Sequence, residues 1–260
     1  MTDALRDQIH EILTAAETFA MEAGEITLKY FGGLVDADDK SDGTPVTIAD
    51  RETEEHLRKR IEETFPDHGI LGEEYGETKP GAAVRWILDP IDGTRSFMHG
   101  VPLYGVLIGV EIEGQARVGV ANFPALGELI SAGEGFGCKL NGNPTAVSQV
   151  TELKDSLVLT TDIERILALH QGDGFRKLQQ GAAFARTWGD CYGHCLVATG
   201  RAEIMVDPIL SPWDAGPLLT IVTEAGGRWT SLQGEASIHA GSGVATNGIL
   251  HDMVLETLAG

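Results

Sequence analysis

Trp86-Ile-Leu-Asp89-Pro-Ile-Asp92-Gly-Thr94-Arg-Ser-Phe-Met-His-Gly100 is the stretch from which the fold and the chemistry are read. It grows out of an apolar run, Val84 to Leu88, of a length that suits one buried strand. Pro90 fixes its own φ and has no amide to donate, so the strand is predicted to end at Asp89. Asp89 and Asp92 then sit together at a strand's carboxyl end, before a segment able to start a helix. The amides of Gly93, Thr94 and Arg95 at such a start form an anion site, and glycine lets a ligand come close. Two carboxylates repel a phosphate, but with hard divalent cations between them they hold one. Taken alone, Asp-Pro-x-Asp-Gly is more simply a turn. Other acidic motifs decide the matter.

The chain has 260 residues, 42% of them hydrophobic and 22% charged, which suits one large or two modest globular domains. A net charge of −20 argues against nonspecific nucleic-acid binding and against an anionic membrane surface. No apolar run is long enough for a transmembrane helix, and the polar stretch Met1 to His10 is not a signal peptide. Cys138, Cys191 and Cys195 are odd in number and lack a zinc-ribbon pattern. Reduced thiols in a cytoplasmic protein are expected, with Cys191-x-x-His194-Cys195 read as buried small residues rather than a metal site.

Residues 4–30 carry helical apolar spacing, and Gly32-Gly33 closes the helix. Lys40 to Asp50 reads as a turn or loop. Asp50 then opens a helix over 51–65, either as a plain N-cap or as an aspartate placed to orient a water. Ile70-Leu71 is a short strand whose end carries Glu73 and Glu74, close enough to bring Glu73 beside Asp89. Strands over 104–111 and 116–121, joined at Glu113-Gly114, begin a long antiparallel section. From about Val147 strands and helices alternate, which divides the chain into an α+β part over 1–146 and an α/β part over 147–260. Asp207-Pro208 ends a strand as Asp89-Pro90 does, and Ser211-Pro-Trp-Asp214 opens a helix that Gly226-Gly227 closes.

Gly72-Glu73-Glu74, Asp89-Pro-Ile-Asp92-Gly-Thr94 and Trp213-Asp214-Ala215-Gly216, in this order, resemble the inositol monophosphatase superfamily over nearly the whole chain. Within it, Asp42 to Arg51, Arg95 to Gly100 and Trp188-Gly-Asp190-Cys-Tyr-Gly193 are similar to the histidinol-phosphate phosphatases of that fold. Inositol phosphatases usually carry small residues where this chain has Asp190 and Cys191. The resemblance implies a layered α-β-α-β-α sandwich with the site between its two parts. It also implies two or three Mg2+ ions: Glu73, Asp89 and the Ile91 carbonyl at the first, Asp89, Asp92 and Asp214 at the second, and Glu73 again at a weaker third.

The implied reaction is hydrolysis of a small phosphate monoester by a metal-activated water, without a phosphoenzyme. Gly93 and Thr94 would hold the phosphate, and the Thr94 hydroxyl, paired with Asp50, would orient the water, with Glu73 beside them. Asp92, Asp190, Asp207 and Asp214 would face the substrate's organic part. Asp190 tilts that part toward a cation, as in histidinol phosphate, because a carboxylate suits an ammonium and an imidazole. Lys40 falls near the metal-phosphate site by family position, and His99 reads as a surface histidine. An inositol-1-monophosphatase or broad sugar-phosphate phosphatase is the nearer alternative. A bisphosphate nucleotidase would want basic residues the chain lacks as a cluster. A noncatalytic metal-binding protein would want a missing ligand, and Glu73, Asp89, Asp92, Thr94 and Asp214 are all present. A homodimer is implied by analogy only.

Overall fold

A computed structural model describes residues 1–33, 37–39 and 45–260; Lys40 and the Asp42 to Thr44 part of the Asp42 to Arg51 stretch lie outside them. Helix α1 (Asp3–Leu28) opens the chain, capped by the Thr2 hydroxyl, which accepts the Leu5 amide at 3.3 Å. Its Ile9, Ile12, Ala16, Phe19, Ala20 and Ala23 recur at helical spacing and are all buried. A hairpin of β1 (Ala37–Asp39) and β2 (Pro45–Thr47) leads into α2 (Ile48–Thr64). Then come β3 (Gly69–Gly72), β4 (Gly76–Thr78), β5 (Val84–Asp92), the short α3 (Thr94–Met98), β6 (Gly105–Ile112), β7 (Gln115–Phe123), β8 (Glu128–Gly133), β9 (Gly137–Leu140) and β10 (Asn143–Thr145). The remainder is β11 (Leu157–Leu159), α4 (Ile163–Ala168), α5 (Gly172–Gly181), β12 (Phe184–Arg186), α6 (Asp190–Ala198), β13 (Ile204–Asp207), α7 (Pro212–Glu224), β14 (Arg228–Thr230), β15 (Gly243–Thr246) and α8 (His251–Ala259).

The first sheet has eight strands in the order β10-β9-β8-β7-β6-β5-β3-β4, antiparallel except where β3 runs parallel to β5. The second has five, β12-β11-β13-β15-β14, with the first three parallel and β15 antiparallel to both neighbours. Helices α1 and α2 cover the outer face of the first sheet, α6 and α7 fill the space between the sheets, and α5 and α8 cover the second. This is the expected α-β-α-β-α layering. Period-2 alternation builds it. In β5, Trp86 and Leu88 join the core under α1 and α2, while Ile87 faces the core shared with α6 and α7. In β13, Ile204 and Val206 pack outward under α5 and α8, and Met205 packs inward.

Two boundaries differ from the sequence reading, both beside the site. Strand β5 does not stop at Asp89: its pairing with β6 breaks after Asp89↔Leu107 and resumes at Asp92↔Gly105. The missing Pro90 donor is absorbed in that irregularity instead of ending the strand. Helix α2 starts three residues earlier than expected, with Thr47 as its N-cap. Asp50 is therefore not the cap but the third helical residue of a capping box, accepting the Thr47 amide at 2.8 Å and the Thr47 hydroxyl at 2.5 Å.

Candidate active site

Three carboxylates converge where the two sheets meet α7. Asp89 and Asp92 flank the irregularity in β5, and Asp214 sits in the first turn of α7; one oxygen from each lies within 4.8 Å of the others. Local backbone holds each in place. Asp89 accepts the Ile91 amide at 3.0 Å, Asp92 the Cys191 amide at 2.6 Å, and Asp214 the Ser211 amide at 2.7 Å within a second capping box. Glu73 follows β3, whose parallel register places Gly72 opposite Leu88, and its amide bonds the Leu88 carbonyl at 3.1 Å. Glu73 lines the same cleft, of about 810 Å³, as Asp89, Ile91, Asp92, Thr94 and Asp214.

Gathering like charges away from water makes ionisation hard. Burial, with Glu73, Asp92 and Asp214 adding to it, pushes Asp89 well above the carboxylate range. Burial first, and then the neighbouring acids, raise Asp92 and Asp214 to about 7. Asp50 rises to about 6, chiefly by burial, with the Glu73 charge adding to it against the Thr47 hydrogen bonds. Hard oxygen donors in a largely buried, mutually repelling set suit a hard divalent cation, which would hold them ionised. The residues present therefore fit a metal.

Gly93, at φ 82°, makes the turn from β5 into α3. A Cβ there would stand 3.0 Å from the Leu103 carbonyl oxygen and 3.2 Å from an Asp190 carboxylate oxygen, so the position needs glycine on both counts. Gly93, Thr94 and Arg95 line the cleft. The expected pairing of Thr94 with Asp50 is not what the structure shows. The Thr94 hydroxyl donates to the Ile91 carbonyl at 3.1 Å, and the Asp50 carboxylate is taken by Thr47. Because Asp50 lies inside α2 rather than at its tip, its own N-cap is the nearest donor.

Asp190 and Asp207 lie together on a smaller chamber of about 170 Å³ that also touches Asp92 and Asp214. Asp190 opens α6 at φ 52°, a region side chains rarely adopt, and burial followed by the charges of Asp92 and Asp207 raises it to about 8. Asp207 ends β13 and is not a bare carboxylate: Thr161 donates its amide at 3.1 Å, and the His194 ring lies 3.1 Å from the other oxygen. His99 is exposed at the end of α3. All three cysteines are buried and unpaired as disulfides.

Several site residues escaped the sequence reading. Thr161, Asp162 and Arg165 line both cavities. Glu54, fully buried on α2, accepts the Glu74 amide at 2.7 Å and the Tyr75 amide at 3.2 Å and pairs with Arg58 at 2.8 Å, which fixes the turn that carries Glu73. A signal was present, since Glu54 falls on the same helical face as Asp50, Leu57 and Ile61.

Comparison with known proteins gives one consistent pattern. The model of the Inositol monophosphatase family matches residues 8–259. A histidinol-phosphatase of Chlorobaculum parvum is 49% identical over 235 residues, covering 90% of this chain and 91% of the relative. A histidinol-phosphatase of Mycobacterium tuberculosis is 39% identical over 255 residues, covering 96% and 98%. Among solved structures, an inositol monophosphatase from Anabaena superposes with a TM-score of 0.85 at 30% identity, covering 97% of this chain and 96% of that one.

Proposed function

We propose a function from the premise that this chain belongs to the inositol monophosphatase family: it hydrolyses L-histidinol phosphate to L-histidinol and inorganic phosphate, with Mg2+. The single observation that carries the choice of ester is Asp190, a half-buried carboxylate held at positive φ on the chamber it shares with Asp207. A carboxylate pair without a lysine or arginine among that chamber's lining, other than Arg165, suits a cationic leaving group. The named histidinol-phosphatases agree with that choice.

Members of the family are generally metal-dependent, and Glu73, Asp89, the Ile91 carbonyl, Asp92 and Asp214 would hold the ions here. When bound, the metal supplies neutralisation of phosphate charge and acidification of water. The chain's residues do the rest. The backbone of Gly93 and Thr94, turned into the cleft at the start of α3, binds phosphate oxygens. The Thr94 hydroxyl steadies the Ile91 carbonyl. Asp50, held by Thr47 and outside the cleft lining but close enough to Glu73 for the two charges to oppose each other, backs Glu73, which faces the attacking water from the cleft wall. Asp190 and Asp207 orient the ammonium and imidazole of the leaving alcohol, with Asp92 and Asp214 at its phosphate end. A homodimer in the cytoplasm belongs to the same reading, supported by analogy and by the odd number of thiols. Among the described residues, no helix is long and apolar enough to cross a membrane.

Phosphate release from L-histidinol phosphate, with Mg2+ and with a chelator, tests the reading. Release with the metal and none with the chelator is expected. No release with either would sink it.

A further inference from the structure

In the motif Cys191-x-x-His194-Cys195 neither thiol has a part in the chemistry described so far, and the histidine is the exception because its ring touches Asp207. His194 lies on α6, fully buried, with Nε2 3.1 Å from Asp207 Oδ2. Its Nδ1 is equally buried and has no hydrogen-bond partner. A proton on Nδ1 would be stranded there at a cost, so the ring N–H belongs on Nε2, where it points at Asp207. The other oxygen of Asp207 accepts the Thr161 amide at 3.1 Å, and the Thr161 hydroxyl in turn accepts the Asp190 amide at 2.7 Å. Gly189 permits that closeness, because a Cβ on it would lie 2.6 Å from the same hydroxyl oxygen. One chain of hydrogen bonds thus runs from His194 in the core to the Asp207 carboxylate, then through Thr161 to the Asp190 backbone amide, which places both residues of the small chamber.

We propose that His194 is a positioning residue for substrate choice: its Nε2–H fixes the Asp207 carboxylate, beside Asp190, as the acceptor for the cationic end of the leaving alcohol. This rests on the histidinol phosphate reading above. An apolar residue at 194 would leave Asp207 Oδ2 buried without its donor and free to turn from the chamber, whereas glutamine keeps an amide N–H at a similar reach. The metal ligands and the phosphate-binding turn are untouched by either change, so the effect belongs on recognition of the organic part.

The test compares wild type, His194→Met and His194→Gln with L-histidinol phosphate and with myo-inositol 1-phosphate, which carries no cation, in Mg2+. Wild type is expected to prefer histidinol phosphate. The Met variant is expected to lose about tenfold of that preference, through KM rather than kcat, and the Gln variant to recover most of it. A Met variant that keeps the wild-type preference, or loses kcat equally on both esters, overturns the positioning role while leaving the functional reading standing. A wild type without the preference overturns the functional reading and this inference with it. Should the Met variant fail to fold, ¹⁵N-histidine spectra of the wild type decide: a protected Nε2–H resonance of His194 that shifts on saturation with L-histidinol is expected, and one indifferent to L-histidinol overturns the proposal.

Discussion

Asp92 shows in one residue what the site asks of the chain. Burial and the facing Asp214 raise it to about 7, while the Cys191 amide holds its position. Replacing it by asparagine keeps the shape and removes the charge. Asp92→Asn is expected to lower Mg2+-dependent turnover at least about a thousandfold. The metal-free variant should melt no lower than wild type, because a repulsive charge has gone. Near-normal turnover, measured as phosphate release beside a thermal melt, would contradict the ligand assignment. Asp190→Asn separates recognition from chemistry in the same way. Asparagine tolerates positive φ, so the turn should survive, and KM for histidinol phosphate is expected to rise about tenfold. The acidic residues themselves were legible in the sequence because their motifs carry fixed spacing. His194 and Thr161 were not, because each acts on a residue 46 or 13 positions away through contacts only the fold creates.

At the scale of elements, β5 and α2 do most to build the site, and both were read nearly but not fully. Local rules located the β5 strand and its proline correctly. What they missed is that β6 continues past the break and pairs with Asp92, a tertiary event that overrides the local stop signal. In α2, Thr47 and Asp50 form a capping box that pulls the helix start upstream and takes Asp50 from Thr94. Glu54 on the same helix ties the turn after β3. Glu54→Ala leaves the half-buried Arg58 without its carboxylate partner, with only the Gly76 carbonyl still accepting from it, so a loss of about 3 kcal/mol is expected, with turnover reduced as Glu73 loosens. A denaturant melt and a rate measurement check both. In α8, His251 is clamped between Thr230 of β14 at 2.9 Å and Thr246 of β15 at 3.0 Å. Burial, with Arg228 assisting, lowers its pKa from 6.5 to about 4. A lowered pKa means that the unfolded chain takes up the proton first, so this stability is present above pH 6.5 and fades as pH falls toward 4. His251→Gln is expected to flatten the difference in stability between pH 7 and pH 4 by up to about 3 kcal/mol. An unchanged pH slope in urea titrations would count against the clamp.

At the scale of the molecule, the layers place the acidic centre where α7 meets both sheets, so that most of the first sheet, α1 and α2 form a rigid wall behind it. Layer order was legible because hydrophobic period changes along the chain; the depth of burial at the site was not, since periodicity says nothing of how closely separate carboxylates approach. That depth has a measurable consequence. Asp50, Asp92, Asp214 and Asp190, with raised values of about 6, 7, 7 and 8, favour the folded state while protonated. Their contribution is full below about pH 4 and is lost as pH rises from there through those values, so metal-free protein should lose it between about pH 4 and 8. Mg2+ should reverse the loss, with a Tm increase that is larger at pH 8 than at pH 5.5 because the ligands must shed protons to bind it. A Tm increase independent of pH would place the metal elsewhere.

The most direct measurement is kcat/KM for L-histidinol phosphate and for myo-inositol 1-phosphate, side by side on one preparation in Mg2+. A preference for histidinol phosphate of about a hundredfold or more is expected from two fixed carboxylates facing a cation. Equal rates, or a preference for the inositol ester, would contradict the role given to Asp190 and Asp207.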